Sequence, residues 1–201
     1  MNNFSNYTEF EAKFYPIKKQ EYRSKLLTIG AKLVSPERLM RRSIADHESH
    51  PQFTCDYVRV RDEGDTIRLS SKINAREGGN LSDQKEIDVT VSDFDKTVKI
   101  IESMGIHFNR YQETLRETWQ YEGAEITIDT WPGLETYTEI EAKSEEQVQE
   151  IALKLQLNWE AKIITSVAEI YMKIYHLTMQ EILKKISFIT FEKNPFNPHL
   201  L

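Results

Sequence analysis

The chain has 201 residues, a formal net charge of −6 and 39% hydrophobic residues, which suits one domain with a core, or at most two small domains. The acidic balance argues against binding DNA or RNA through a basic surface. Cys55 is the single cysteine, which excludes an internal disulfide and a thiolate zinc site. No apolar run approaches the roughly 20 residues that span a bilayer, and no signal peptide is recognised. We therefore expect a cytoplasmic protein without a nucleic-acid or membrane partner.

The first predicted element is a strand with charges at alternate positions. Glu9, Glu11 and Lys13 share one face, and Phe10 and Ala12 share the other, because successive side chains of a strand point to opposite faces. The strand therefore has one charged and one apolar face.

The middle of the chain predicts two strands whose polar faces are basic. Arg59 and Arg61 alternate with valines within residues 57–61. The next strand, residues 67–73, places Lys72 on its polar face. Upstream of both strands, the adjacent residues 41 and 42 are also arginines, and at most one of the two can share that face.

Acidic strands return in the second half of the chain. Glu86 and Asp88 alternate with apolar residues, and so do Glu139 and Glu141, in a near copy of the first strand. Between them the pattern predicts a hairpin of two strands closed near residues 122–123.

Each acidic strand precedes a helical pattern of apolar residues. The first helix ends at Gly30, the second begins at the N-cap Ser92, and the third begins at Ser144, which has a capping-box glutamine three residues later. A fourth helix is predicted over residues 163–185. Its stripe at residues 163–177 fits either a cover for the sheet or a homodimer face.

The sorting of charges favours a closed sheet. A half-buried antiparallel sheet with a solvated polar face is the common explanation for alternation, but such a face usually mixes both signs. If the sheet closes into a barrel, the charged faces line its interior. Because buried bare charges cost several kcal/mol each, that interior is wet, internally paired or built for a charged ligand. Arginine and lysine suit phosphate oxygens, and carboxylates suit Mg²⁺.

The ordered set of charged residues resembles the CYTH proteins, also called triphosphate tunnel metalloenzymes. The family has an E-x-E-x-K strand, then alternating arginines, a lysine, an E-x-E strand, an arginine, an aspartate and a final E-x-E strand. The matching residues are Glu9, Glu11, Lys13, Arg59, Arg61, Lys72, Glu86, Asp88, Arg116, Asp129, Glu139 and Glu141. The chain departs from the pattern at Asp88, where the family has glutamate.

The resemblance implies an α+β fold, in which a closed eight-stranded antiparallel β-barrel forms a tunnel with covering helices. We predict a single tunnel domain over residues 1–186 and a C-terminal tail over residues 187–201.

The resemblance also implies roles for the charged residues. The predicted phosphate-binding set is Lys13, Arg59, Arg61, Lys72 and Arg116. The predicted ligands of Mg²⁺ or Mn²⁺ are Glu9, Glu11, Glu86, Asp88, Glu139 and Glu141. The predicted catalytic set is Glu11, Lys13, Lys72 and Asp129. His47 and His50, in a polar segment, are weaker metal candidates and fit a solvated loop better.

Three activities remain open at this point. The first is metal-dependent hydrolysis of inorganic triphosphate, thiamine triphosphate or a nucleoside triphosphate. The second is conversion of ATP to cyclic AMP and pyrophosphate, as in class IV adenylyl cyclases. The third is binding of a polyphosphate or nucleotide without catalysis. Hydrolysis is favoured because cyclisation also requires a base pocket, for which the sequence shows no motif.

Overall fold

The computed structural model describes residues 7–196, which form a curled antiparallel sheet with helices on its outside. The strands are β1 Phe10–Phe14, β2 Lys32–Asp46, β3 Tyr57–Asp62, β4 Ile67–Ile73, β5 Lys85–Val91, β6 Arg110–Tyr121, β7 Ala124–Thr130, β8 Tyr137–Ala142 and β9 Phe188–Ile189. The helices are α1 Lys19–Thr28, α2 Phe94–Ser103, α3 Glu145–Lys154, α4 Ala168–Tyr175 and α5 Met179–Lys185.

The sheet runs in the order β1-β8-β7-β6-β2-β3-β4-β5, and its two edges meet at one end. Thr8, two residues before β1, bridges Lys85 of β5. The Glu9 N–H donates to the Gln84 carbonyl at 3.1 Å, and the Glu86 N–H donates to the Tyr7 carbonyl at 3.0 Å. These contacts close the curl around a central tunnel, which confirms the predicted eight-stranded α+β architecture.

The apolar faces of the strands point outward and pack under the helices. Ala12 of β1, Ile126 of β7 and Ile140 of β8 are fully buried against Ile151 of α3 and Leu26 of α1. Since this face of the sheet supplies the core, the charged face is left for the tunnel.

The three strand–helix units are present, with α1, α2 and α3 following β1, β5 and β8. Ser144 caps α3 as predicted, accepting from the Gln147 N–H at 3.3 Å. The predicted cap of α2 is wrong by one residue: Asp93, and not Ser92, accepts from the Lys96 N–H at 2.8 Å. No helix within residues 7–196 is long and apolar enough to cross a bilayer.

The predicted fourth helix is wrong as a single element. Residues 163–185 contain α4 and α5, which are separated at His176, where φ is +53°. Ile163 lies in extended chain and exchanges two backbone hydrogen bonds of 2.9 Å with Lys13. A left-handed residue ends an α-helix, so the apolar stripe continues across two short helices. Ile170 of α4 and Ile182 of α5 are buried against the rest of the domain, as a cover requires.

The segment after residue 186 also packs on this domain. Strand β9 pairs in parallel with β6, and Ile189 is fully buried. Phe196 lies against Tyr171 of α4, with ring centroids 4.8 Å apart. The described part of the predicted tail, up to residue 196, thus packs in the same hydrophobic cluster as Ile170 and Ile182.

Candidate functional site

A cavity of about 660 Å³ occupies the tunnel and is lined by the charged faces of the strands. Every residue of the predicted site lines it, except Asp129, whose side chain is fully buried in the wall. The alternation of each strand is what brings these residues together, because every second side chain points inward.

Lys72 of β4 is the centre of an ion-pair network. Its Nζ lies 2.9 Å from Glu9, 3.0 Å from Glu11 and 3.2 Å from Glu86. Burial lowers the pKa of Lys72, but the carboxylates, led by Glu11, outweigh burial and raise that pKa well above its usual value. Lys13 also contacts Glu11. Burial raises the pKa of Glu11, but the charges of Lys13 and Lys72 outweigh burial and hold that pKa well below its usual range. Both pKa shifts favour the charged forms of Lys72 and Glu11, which hold each other in place.

Arg116 of β6 forms a second network. It donates to Asp129 at 2.7 Å and to Glu139 at 2.5 Å. The other oxygen of Asp129 accepts from the Thr127 hydroxyl at 2.6 Å. Because both oxygens of Asp129 are engaged and the carboxylate does not reach the cavity, the structure fits a role in positioning Arg116.

Arg59 and Arg61 of β3 are paired with different acids. Arg59 donates to Glu86 at 2.7 Å, and Arg61 donates to Glu63 at 2.6 Å. Burial and repulsion from Arg59 lower the pKa of Arg61. Sequence reasoning missed Glu63, although it continues the two-residue spacing of Arg59 and Arg61 onto the same face.

Arg42 of β2 is buried in the tunnel wall with no carboxylate within ion-pair distance among the described residues. It donates to the Thr114 hydroxyl at 2.9 Å and lies over the Trp131 ring, 4.7 Å from its centroid. Its Nε and the Trp131 Nε1 are buried without an acceptor in the described part of the chain. Burial and repulsion from Arg59 and Arg61 lower the pKa of Arg42.

The neighbouring Arg41 points to the outside of the sheet. It donates to Asp62 at 3.0 Å and lies over the Phe94 ring. The prediction that at most one of the two arginines faces the interior is therefore confirmed, and Arg42 is that residue.

Three carboxylates lie side by side at another level of the tunnel. Glu11 of β1 is in register with Glu141 of β8, and Glu141 is in register with Glu125 of β7. No basic side chain of residues 7–196 comes within ion-pair distance of Glu141. The side chain of Glu141 reaches the open lumen, but the tunnel wall around it separates it from bulk water. This desolvation, together with the negative charges of Glu9 and Glu11, raises the pKa of Glu141 to about 8.

The carboxylates of this row fit a divalent cation in their chemistry. Glu141 has no basic partner in the part of the chain that the structure describes. Glu9, two residues before Glu11, has one buried oxygen, Oε2, which lies 2.9 Å from Lys72 Nζ without hydrogen-bonding geometry. Hard cations such as Mg²⁺ bind carboxylate oxygens of this kind. Among residues 7–196, however, no three acidic, histidine or cysteine side chains are already arranged as a metal site.

Asp88 and the two histidines lie apart from these networks. Asp88 is exposed at the tunnel wall and is held by Arg68. His50 is buried, and its Nε2 lies 2.9 Å from the His107 carbonyl, whereas His47 is exposed in a turn. The two histidines do not form a metal site with their neighbours.

Comparisons with known proteins agree with this architecture. The family model described as CYTH domain matches residues 8–168. No protein of curated function matches the sequence significantly.

Several solved structures share the fold at low identity. A conserved hypothetical protein from Pyrococcus furiosus is 19% identical, with a TM-score of 0.65 over 79% of this chain and 96% of that chain. A putative adenylate cyclase from Vibrio parahaemolyticus is 14% identical, with a TM-score of 0.68 over 82% and 98%. A putative adenylyl cyclase from Hippeastrum, described as having a dominant triphosphatase activity, is 14% identical, with a TM-score of 0.50 over 86% and 99%. Because the family model covers most of the chain and the fold agrees, the chain belongs to the CYTH domain family.

Proposed function

We propose that this protein hydrolyses a triphosphate-containing small molecule in its tunnel, with the help of Mg²⁺ or Mn²⁺. The observation that carries this proposal is the group of four arginines that line the cavity, Arg42, Arg59, Arg61 and Arg116. They lie close enough to repel one another. Arg42 in particular has a buried donor without an acceptor. A bound polyanion offsets the repulsion between the arginines and supplies an acceptor for the unpaired donor of Arg42, since phosphate oxygens accept charge-assisted hydrogen bonds from guanidinium groups.

The basic residues bind and orient the phosphates. Arg42, Arg59, Arg61 and Arg116 surround the chain of phosphates, and Lys13 and Lys72 add point charges. In hydrolysis, the oxygen of a water forms a bond to the terminal phosphorus, and the bond from that phosphorus to the bridging oxygen breaks. Charge on the equatorial oxygens and on the leaving phosphate is then neutralised by these side chains, and positioning of this kind supplies most of the catalysis in phosphoryl transfer.

The carboxylates would hold the metal. Glu141 suits this role best, because it has no basic partner within residues 7–196 and is in register with Glu11. Glu9 and Glu11 are paired with Lys72 and would share their oxygens between that ammonium group and the metal. Glu139 and Glu86 are engaged by Arg116 and Arg59, so they also keep the arginines in position. A bound divalent cation would neutralise phosphate charge and lower the pKa of a coordinated water.

Adenylyl cyclase activity is the second candidate. Members of the fold with that description include the Vibrio parahaemolyticus protein. Cyclisation uses the same phosphate contacts, but the ribose 3′-oxygen attacks the α-phosphorus and pyrophosphate leaves. Hydrolysis is preferred because it requires nothing beyond phosphate binding and charge neutralisation, whereas cyclisation also requires the ribose to be held in line.

The proposal is tested by phosphate release from inorganic tripolyphosphate with Mn²⁺, comparing wild type with Glu11→Gln. Glutamine keeps the shape of the side chain but removes the charge, so we expect release to fall by at least about tenfold, the usual cost of a weakened metal site. Glu150→Gln, on the exposed side of α3, is the matched control and should behave like wild type. Equal rates for Glu11→Gln and wild type would overturn the metal-dependent mechanism.

The products formed from ATP separate the candidates. Hydrolysis gives ADP and phosphate, and cyclisation gives cyclic AMP and pyrophosphate. Binding of tripolyphosphate without any turnover would instead identify a binding module.

A further inference from the structure

One end of the tunnel is lined by apolar side chains. Met179 and Leu183 of α5 line the cavity there, together with Ile186 after the helix and Ile44 of β2. Ile182 lies on the other side of α5 and is fully buried in the core. Ile182 therefore anchors the helix, Met179 faces the cavity, and Leu183 both lines the cavity and packs against the core.

This apolar wall lies beside Arg42. The Ile186 carbonyl accepts from Gln112 Nε2 at 2.8 Å, and Gln112 is in register with Arg42. Gln120, in register with Glu125, lies at the other end of the same strand, and β6 rises about 27 Å between residues 112 and 120. The apolar residues thus lie beside Arg42, toward the opposite end of β6 from Gln120.

The apolar wall gives no benefit to inorganic triphosphate, which has no apolar surface to bury. The cavity volume of about 660 Å³ is in the range of sites that enclose whole organic ligands. Met179 is 40% exposed and Leu183 is half-buried, so both have surface left to bury against a ligand. Arg110, which pairs with Asp46, and Gln112, which donates to the Ile186 carbonyl, line the same part of the cavity, so polar groups border the apolar wall.

The two α5 residues lie outside the region that defines the family. The family model ends at residue 168, before Met179 and Leu183. Methionine adapts its shape to flat ligands. The contact surface at this end is therefore a feature of the C-terminal segment of this chain.

We propose that Met179 and Leu183 bind an organic group attached to the phosphates, so that a heterocyclic organic triphosphate is preferred to inorganic triphosphate as substrate. This inference rests on the proposed function, because it places the phosphates beside the arginines. In this proposal, α5 recognises the organic group of the substrate, and the arginines of the strands bind its phosphates.

The test measures binding by calorimetry in the presence of Mg²⁺, with two probes: inorganic tripolyphosphate and a non-hydrolysable ATP analogue. The variants are Met179→Ala, Leu183→Ala and the double substitution, and the control is Lys184→Ala, on the exposed side of α5. Thermal unfolding of each variant checks that α5 remains folded; the single variants leave the anchoring Ile182 and Ile186 in place.

We expect wild type to bind the ATP analogue more tightly than tripolyphosphate. The double variant should lose about tenfold or more in affinity for the analogue and stay within about twofold of wild type for tripolyphosphate. Unchanged affinity for the analogue, or an equal loss for both probes in a folded variant, overturns the role of α5 and leaves the proposed function standing. If wild type binds neither probe, the proposed function itself fails, and this inference fails with it.

Discussion

The tunnel contains two kinds of charged region, and they differ in how well the chain satisfies them. Around Lys72, one ammonium group lies within 3.2 Å of three carboxylates. Arg42 and Glu141, in contrast, have no oppositely charged side chain at ion-pair distance in the described part of the protein. Both regions face the same cavity. The comparison shows that a charged lumen by itself does not identify the ligand contacts, because much of it is paired internally.

The paired residues are expected to act as a scaffold as well as to contact the ligand, and the unpaired residues are expected to contribute most to ligand affinity. A buried ion pair contributes little net stability when intact, but removal of one partner leaves uncompensated charge and costs several kcal/mol. A buried charge without an oppositely charged partner, such as Arg42, has already incurred that cost in the free protein, and a ligand of opposite charge recovers it. Substitutions in the two regions should therefore have opposite effects on stability.

The largest effect is expected for Lys72→Met. It leaves Glu9, Glu11 and Glu86 facing one another without their common cation, so the free energy of unfolding should fall by about 3–5 kcal/mol. Urea unfolding at pH 7 measures the change. Lys154→Met breaks an exposed ion pair with Glu122 and should leave the free energy of unfolding almost unchanged, because solvent screens exposed ion pairs. Similar losses for the two variants would show that the Lys72 network is not a scaffold.

A smaller effect of opposite sign is expected for Glu141→Gln. The pKa of Glu141 is raised to about 8 from an unfolded value of about 4.5, so the folded state of wild type retains a proton that the unfolded state loses. The unfolding free energy of wild type should therefore fall, relative to the variant, as the pH rises from about 4.5 to 8, and the difference should be constant above pH 8. Because the side chain of Glu141 is exposed to the lumen, the unfolding free energy of Glu141→Gln should exceed that of wild type by less than about 1 kcal/mol.

Urea unfolding of both proteins across this pH range measures the difference, with Glu150→Gln as the control. Mn²⁺ should stabilise wild type more than Glu141→Gln at pH 8. A pH-independent difference, or equal stabilisation by Mn²⁺, would contradict the view of Glu141 as an unpaired ligand residue.

Much of the fold could be predicted from the sequence, because most strands alternate strictly between charged and apolar residues. Strand β2 could not be assigned in this way. Its pairing with β6 shifts register between Leu33 and Arg38, and its inward face mixes Met40 and Ile44 with Arg42. The break at His176 was also hidden, because the apolar spacing continues across it.

The members of the site were predictable, but their partners were not. Alternation and family resemblance place Lys72, Arg59 and Arg116 on the inner face, and the structure agrees. Which acid pairs with which base depends on strands distant in sequence, such as β4 and β1 for Lys72 and Glu11. The unpaired state of Arg42 is visible only once these pairs are known.

The central claim is that Arg42 binds the triphosphate, and it is tested most directly by comparing Arg42→Gln with Arg41→Gln. The two substitutions remove the same charge from adjacent residues of β2, one facing the tunnel and one facing outward. Calorimetric titration with tripolyphosphate and Mg²⁺ should show a loss of about tenfold or more for Arg42→Gln, and a change within about twofold for Arg41→Gln. Wild-type affinity in Arg42→Gln, or an equal loss in both variants, would contradict the account.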